Sequence, residues 1–282
     1  SGGLAVFAGF FAGFMVLILV RTFFGVTFNQ FDLNLLFAGV LSLFIITLIG
    51  FLDDLLISSD KEESKGFGQI QKPLLTLIAA IPLMVVNAGV TLMALPFIGH
   101  VDFGVFYVLI LIPLGVLGAS NMVNMFAGFN GLEAGMGIIY TGMLGIYAYV
   151  NNFYIAAWIC LLAFSALLAF YYFNKVPAKI LAGDSLTYLL GGVLVSVAIL
   201  GNIEKAALIV SIPFFIEFIL KLRGRLKKQS YGYWYKGKVK SFYKNIYSLP
   251  HIFTRTGKFT EKQITWSLIA IEFVFCLLIW VV

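Results

Sequence analysis

Apolar runs recur along the whole chain, at residues 4–20, 35–52, 74–95, 103–120, 131–150, 154–173, 186–201, 206–220 and 264–282. Each approaches the roughly 20 residues that a membrane-spanning helix needs. Composition agrees: 61% of the 282 residues are hydrophobic and 11% are charged, whereas soluble domains are roughly a quarter charged. The reading is an all-α polytopic membrane protein with about nine transmembrane helices. No repeat or low-complexity tract divides it, so residues 1–282 form one transmembrane domain, and 221–263 is its one long hydrophilic insert. Segment 4–20 follows Ser1-Gly2-Gly3 without a basic n-region or a small-residue cleavage site, so it reads as a span and not a signal peptide. Cys160 and Cys276 lie within apolar runs and act there as small hydrophobes.

Basic residues set the orientation, because Lys and Arg concentrate in loops that stay cytoplasmic. If the first run starts inside, Lys61, Lys65, Lys72, Lys175 and Lys179 all fall inside, together with the basic residues of 221–262. Arg21 and Lys205 remain outside. The insert is then cytoplasmic, and much of its charge answers anionic headgroups, at about 1 kcal/mol per basic residue near the surface. Nucleic acid is not an expected partner.

Against this background the polar residues near span ends stand out, since acids and amides in lipid usually line a working cavity. Asp53 and Asp54 end an apolar helix, where the helix dipole already carries partial negative charge. They call for a cation, either a divalent metal or Lys72 at the start of the next span. Hard oxygen ligands without His or Cys nearby favour Mg²⁺, with Mn²⁺ second. The plain alternative is a solvated acidic loop. Asn121 and Asn124 share a helix face by their spacing, and Asn130 and Glu133 follow within thirteen residues of Asn121. That is more polarity than capping requires. Asp184, before Ser185 and Thr187, taken alone reads as a helix N-cap, yet topology puts it on the face that holds Asp53 and Asp54. In the insert, His251 and Arg255 are candidates to grip a diphosphate, for which the Arg fork is suited. Carboxylates, amides and basic groups at a membrane–cytosol boundary suggest phosphoryl transfer between a nucleotide and a lipid. There is no Walker loop or kinase signature.

These motifs resemble those of the polyprenyl-phosphate N-acetylhexosamine-1-phosphate transferases. The resemblance rests on Phe51-Leu52-Asp53-Asp54, on Asn121 and Asn124 with Asn130-Gly131-Leu132-Glu133-Ala134-Gly135, and on Ala182-Gly183-Asp184-Ser185. The Asn-Gly-Leu-Glu-Ala-Gly run is most similar to the eukaryotic and archaeal branch, which makes dolichyl-diphosphate-GlcNAc for N-glycosylation. The resemblance implies a bundle of ten helices, of which this chain lacks the first. It implies transfer of GlcNAc-1-phosphate from UDP-GlcNAc to dolichyl or polyprenyl phosphate with release of UMP, Mg²⁺ dependence, and sensitivity to tunicamycin. It also implies roles: Asp184 and Asn124 on the metal, Asp53, Asp54 and Lys72 at the reacting phosphates, and Asn130 at the uracil. Asn121 supports the metal loop, and Glu133, His251 and Arg255 belong with the substrate-binding group. The polar stretch 58–71 before Lys72 departs from the family pattern. So does Pro250-His251-Ile252-Phe253-Thr254-Arg255, which stands where the phospho-MurNAc-pentapeptide transferases carry a His-rich loop. The site would face the cytoplasm, and a homodimer stays open. Two alternatives keep their place: another UDP-N-acetylhexosamine or acceptor on the same fold, and a cation-coupled transporter built around Glu217 and Glu272.

Overall fold

A computed structural model describes residues 1–24, 30–57, 66–68, 70–95 and 99–281; Lys61, Lys65 and most of the polar stretch 58–71 lie outside them. Helices α1 (Gly2–Phe24) and α2 (Gln30–Leu56) take up the first two apolar runs. The third run is helical only at its start, through α3 (Gln71–Thr76), a 3-10 turn (Leu77–Ala80) and α4 (Ile81–Val85). Asn87 and Gly89 then adopt positive φ, 50° and 81°, a left-handed conformation no helix continues through. The chain turns into a hairpin of β1 (Leu92–Leu95) and β2 (Gly99–Asp102), with Leu92 opposite Asp102. The expected span 74–95 is therefore a short helix followed by this hairpin.

A π-helical turn, Tyr107–Leu111, leads into α5 (Ile112–Met125), followed by α6 (Leu132–Val150), α7 (Tyr154–Asn174) and α8 (Gly183–Gly201). The next run is split into α9 (Glu204–Val210) and α10 (Ile212–Arg223). Pro213, in the first turn of α10, has no N–H to donate back across the break. The insert carries a second hairpin, β3 (Tyr233–Tyr235) with β4 (Lys238–Lys240), then the single turn α11 (His251–Thr254). Finally α12 (Glu261–Leu278) begins with a capping box between Thr260 and Gln263.

Among the described residues, α1, α2, Tyr107–Met125, α7 and α8 are long and apolar enough to cross a membrane by themselves. Helices also occupy the expected spans 131–150, 206–220 and most of 264–282, diluted by Gly and Tyr in α6 and by charge at the start of α12. The chain is an integral membrane protein. At 1.5 Å per residue the 27-residue α2 is about 40 Å long, more than the roughly 30 Å of a bilayer core. Its C-terminal Asp53 and Asp54 therefore reach the polar boundary.

Helix α8 is the axis of the bundle: every residue from Ser185 to Gly201 is buried, and α1, α2, α5, α6, α7 and α9 pack on it. Lipid tails are as apolar as Leu, so close backbone approach, not water exclusion, holds such helices together. Glycines make that approach: a Cβ on Gly3 of α1 would stand 2.2 Å from Leu186 N of α8. A Cβ on Gly191 would stand 2.4 Å from Ser120 Cα, on the backbone of α5. One on Gly50 would stand 2.5 Å from Asp184 O and 2.7 Å from Ser185 Cα. Gly50 lies one turn before Asp53 and Asp54, so this contact presses the acidic end of α2 against the first turn of α8.

Candidate active site

Four helix ends meet at one end of the bundle. Asp53 is fully buried and its Oδ1 accepts the Phe67 N–H at 2.5 Å. Gly66 leaves room for that return of the chain, since a Cβ there would fall 2.4 Å from Asp53 Oδ1. The Lys72 ammonium, from the first turn of α3, lies 2.5 Å from Asp53 Oδ2 and 2.9 Å from Asp184 Oδ2. The two carboxylates are also within hydrogen-bonding reach of each other. One ammonium facing two carboxylates leaves the site a surplus of negative charge.

Asp54 works differently. Its Oδ1 accepts the Asp184 N–H at 2.7 Å and its Oδ2 accepts the Ser185 N–H at 3.2 Å. Asp54 thus caps α8 from another helix and satisfies N–H groups that have no partner within the helix. Gly183, at φ +74°, makes room for it: a Cβ would come 2.5 Å from Asp54 Oδ2. The plain reading of Asp184 as the cap does not hold, because Asp184 lies inside the first turn with its carboxylate directed to Lys72.

Asn121 and Asn124 leave α5 on one face, as their spacing requires. Asn121 Nδ2 donates to Leu117 O at 2.8 Å and reaches Thr76 Oγ1 at 3.4 Å, tying α5 to α3. Asn124 Nδ2 lies 3.4 Å from Asp184 Oδ2, and its Oδ1 accepts the Thr187 hydroxyl at 2.8 Å. The buried Tyr188 hydroxyl faces this group, toward the Asn124 side chain. In the next turn, Glu133 is buried and accepts the Gly128 N–H at 2.8 Å. The Asn130 backbone is pinned to α12, its N–H donating to Glu261 Oε1 at 2.9 Å and its O accepting the Thr265 hydroxyl at 3.2 Å. Glu133 therefore shapes the loop, and the half-buried Asn130 side chain is held at a fixed position.

A pocket of about 300 Å³ opens beside this cluster, lined by Lys72, Asn121, Asn124, Lys221, Lys228 and Tyr231 among others. The insert supplies its far wall. Lys221 is buried and donates to Lys228 O at 2.9 Å and to Ser230 Oγ at 2.6 Å. Glu217 stands 3.8 Å from that ammonium and also accepts Ser248 Oγ and the Leu249 N–H, each at 2.6 Å. Glu217 thus has a structural partner set, which removes one of the two residues that recommended a transporter. His251 is buried too: Nδ1 accepts the Tyr247 N–H at 3.1 Å, so Nε2 carries the proton and donates to Gln229 O at 3.0 Å. Burial holds this imidazole below its usual pKa. Both ring nitrogens are engaged, so His251 braces the wall that ends in Ser230 and Tyr231. Arg255 is exposed after α11 and is not among the residues lining this pocket. The contributions of Lys221, Lys228 and Tyr188 were not read from sequence; the lysines looked like any others in a basic stretch, and Tyr188 like one more apolar-helix residue.

The donor set suits a small, hard cation. Oxygens of Asp53 and Asp184 converge on a positive charge, the Asn124 amide adjoins them, and the Tyr188 hydroxyl lies beside them. Among the described residues no three His, Cys, Asp or Glu side chains are arranged to hold a metal ion by themselves, so such an ion would need amide, water or phosphate oxygens to complete its shell.

Comparison with known proteins follows the same lines. The family model described as glycosyl transferase family 4 matches residues 36–202, from α2 to the end of α8. A protein of Saccharolobus solfataricus is 35% identical over 98% of this chain and 81% of its own length. It is provisionally named a UDP-N-acetylglucosamine–dolichyl-phosphate N-acetylglucosaminephosphotransferase. A Sulfolobus acidocaldarius protein with the same name is 32% identical over the same shares. The phospho-N-acetylmuramoyl-pentapeptide-transferase of Lactiplantibacillus plantarum is 36% identical, but over 60% of this chain and 53% of its own. Matched by the family over more than half its length, and by two relatives over nearly all of it, the chain belongs to glycosyl transferase family 4.

Proposed function

We propose that this protein transfers GlcNAc-1-phosphate from UDP-GlcNAc to dolichyl or another polyprenyl phosphate and releases UMP. The active site faces the cytoplasm, in a single catalytic domain whose insert, 221–263, lies on the same side. The reading is supported by the names of the two archaeal relatives. The observation that carries it is Lys72 between Asp53 and Asp184 at the edge of a pocket with two further lysines. Phosphoryl transfer needs this combination, because the reacting phosphates bring several negative charges and the protein's work is positioning and charge stabilisation.

The lipid phosphate oxygen attacks the β-phosphorus of the donor in line. A phosphate monoester is already largely ionised at neutral pH, its second pKa being about 6, so a strong base is unnecessary. Lys72 binds the reacting phosphates, and Asp53 orients its ammonium. Asp184, with Asn124 and Asp53, would hold Mg²⁺, which when bound supplies positive charge against the diphosphate. Asp54 keeps the start of α8 in place. Lys221 and Lys228 take the part of diphosphate contacts first expected of Arg255, and His251 keeps their loop in register. Asn121 steadies the amide pair, Asn130 offers its side chain to the uracil, and Glu133 holds the loop that presents it.

The test is UMP release by the purified chain in nanodiscs, with UDP-GlcNAc, UDP-GalNAc and UDP-MurNAc-pentapeptide against dolichyl and undecaprenyl phosphate. Turnover with UDP-GlcNAc well above the other donors supports the proposal. Turnover confined to the muramoyl donor would replace the sugar, and none with any pair would remove the transferase reading.

A further inference from the structure

From residue 222 to residue 260 the chain has ten Lys and Arg and no Asp or Glu. In the middle of this acid-free stretch lies the β3–β4 hairpin, and its turn is Lys236-Gly237, both at positive φ, 47° and 78°. Two such residues make the tight turn whose twist matches a hairpin. The register pairs Tyr233 with Lys240 and Tyr235 with Lys238, so these four side chains share one face by alternation. That face is aromatic and cationic together. Tyr233 packs on Phe242 with ring centroids 5.5 Å apart, and the ammonium groups of Lys236 and Lys240 each lie 5.5 Å from the centre of the Tyr235 ring. Trp234, on the other face opposite the buried Val239, is 65% exposed, and Phe242 is 53% exposed.

The hairpin is tied to the irregular segment beside it. Val239 N–H donates to Phe259 O at 3.0 Å and Ser241 N–H donates to Thr254 O at 3.0 Å. These bonds fasten β4 to the segment that enters α12 immediately afterwards, at Thr260. The hairpin is thereby held beside the entry to α12, whose own exposed Trp266 follows in its second turn. Tyr and Trp concentrate at the membrane–water interface in membrane proteins, since an apolar ring with a polar edge suits headgroup depth. Lysines beside them meet the negative surface potential of anionic lipid.

We propose that the β3–β4 hairpin is an interfacial anchor: its aromatic rings enter the headgroup layer, and its lysines bind anionic phospholipid there. A bilayer fits better than a protein partner because the hairpin carries one sign of charge and exposed rings on both faces, Tyr233 and Tyr235 on one and Trp234 on the other, and because it stands beside the entry to α12. The anchor continues directly into Ser230 and Tyr231 of the pocket wall, so lipid charge bears on how that wall is held. The hairpin's place at the membrane is measurable without any enzyme activity.

The experiment uses the full chain in nanodiscs of phosphatidylcholine alone or with about a third phosphatidylglycerol, with tryptophan emission quenched by lipid brominated near the headgroup or by aqueous iodide. Subtracting the signal of Trp234→Phe isolates Trp234. The expected result is a Trp234 signal quenched about twofold or more by brominated lipid in anionic discs, shielded from iodide, and returned toward water by about 0.5 M salt, since screening acts on exposed charges. The triple variant Lys236→Glu, Lys238→Glu, Lys240→Glu should abolish the quenching, and the salt arm on the unaltered protein stands if that variant does not fold. A Trp234 open to iodide and untouched by brominated lipid in both compositions would overturn the proposal. So would a Trp234 shielded from both quenchers, the sign of a protein surface over the hairpin.

Discussion

Asp53, Asp54 and Asp184 belong to one short stretch of space and do three different things, which their chemistry alone does not reveal. Asp54 ends on two backbone N–H groups of α8, whereas Asp184 ends on Lys72. Substitution should separate them. Asp54→Ala removes a cap and should lower stability by about 0.5–2 kcal/mol, visible as a lower unfolding temperature in detergent. Asp184→Asn keeps the cap and the shape of the helix start, so it should melt close to the unaltered protein while UMP release falls by about a hundredfold, the usual cost of losing one charge-stabilising group. Equal melting losses in both variants would show that Asp184 is structural. At this scale the sequence was readable where residue type and position coincide: the paired acids, the amides three apart and Asp184. Residue type alone said less. Arg255 has a suitable fork but stands exposed away from the pocket lining, and Lys221 was hidden in a basic run until the fold buried it beside Glu217.

At the scale of elements, apolar periodicity located the helices, and turn chemistry decided the departures. The half-helical third run follows from Asn87 and Gly89, and the break between α9 and α10 falls next to Pro213. Neither hairpin was expected from hydropathy, since strands of three or four residues carry little pattern. Helix contact gives a sharp prediction at Gly50. Gly50→Val would drive methyl groups into the backbone of α8 and should cost about 1–3 kcal/mol or more by overpacking, with activity lost as Asp53 and Asp54 are displaced. Gly9→Ala is the control, for its Cβ would meet only Ala166 Cβ at 3.5 Å, and a thermal melt compares the two. The insert has its own sensitivity to pH. His251 is held neutral by burial, below its ordinary 6.5, so the unfolded segment binds a proton more readily than the folded one. The stability His251 gives to the insert is complete above about pH 6.5 and is lost as pH falls from there through the lower folded value. Hydrogen exchange across residues 229–251 should therefore quicken as pH is lowered below 6.5, after correction for the intrinsic rate, and His251→Phe should flatten that response. An unaltered pH response in that variant would place the titrating group elsewhere.

For the whole molecule, the repeated apolar runs were enough to establish a polytopic helical membrane protein, because a membrane constrains length and polarity more tightly than water does. The order of packing around α8 was not readable, since it depends on which glycines meet which backbones. The assembled site makes a pharmacological prediction: tunicamycin should bind the folded chain and raise its stability by mass action, about 2.7 kcal/mol at a hundred times its dissociation constant. A thermal melt across inhibitor concentrations checks this, and a flat response would count against a nucleotide pocket. The proposed reaction turns on Lys72, which lies between Asp53 and Asp184 and would bind the phosphates that react. The most direct measurement is UMP release from UDP-GlcNAc in nanodiscs containing polyprenyl phosphate, by the unaltered chain and by Lys72→Met, each with Mg²⁺ and with a chelator. The account predicts turnover that needs both the lipid phosphate and the divalent ion and that drops by about a hundredfold or more in Lys72→Met. Undiminished UMP release by a folded Lys72→Met protein would contradict it.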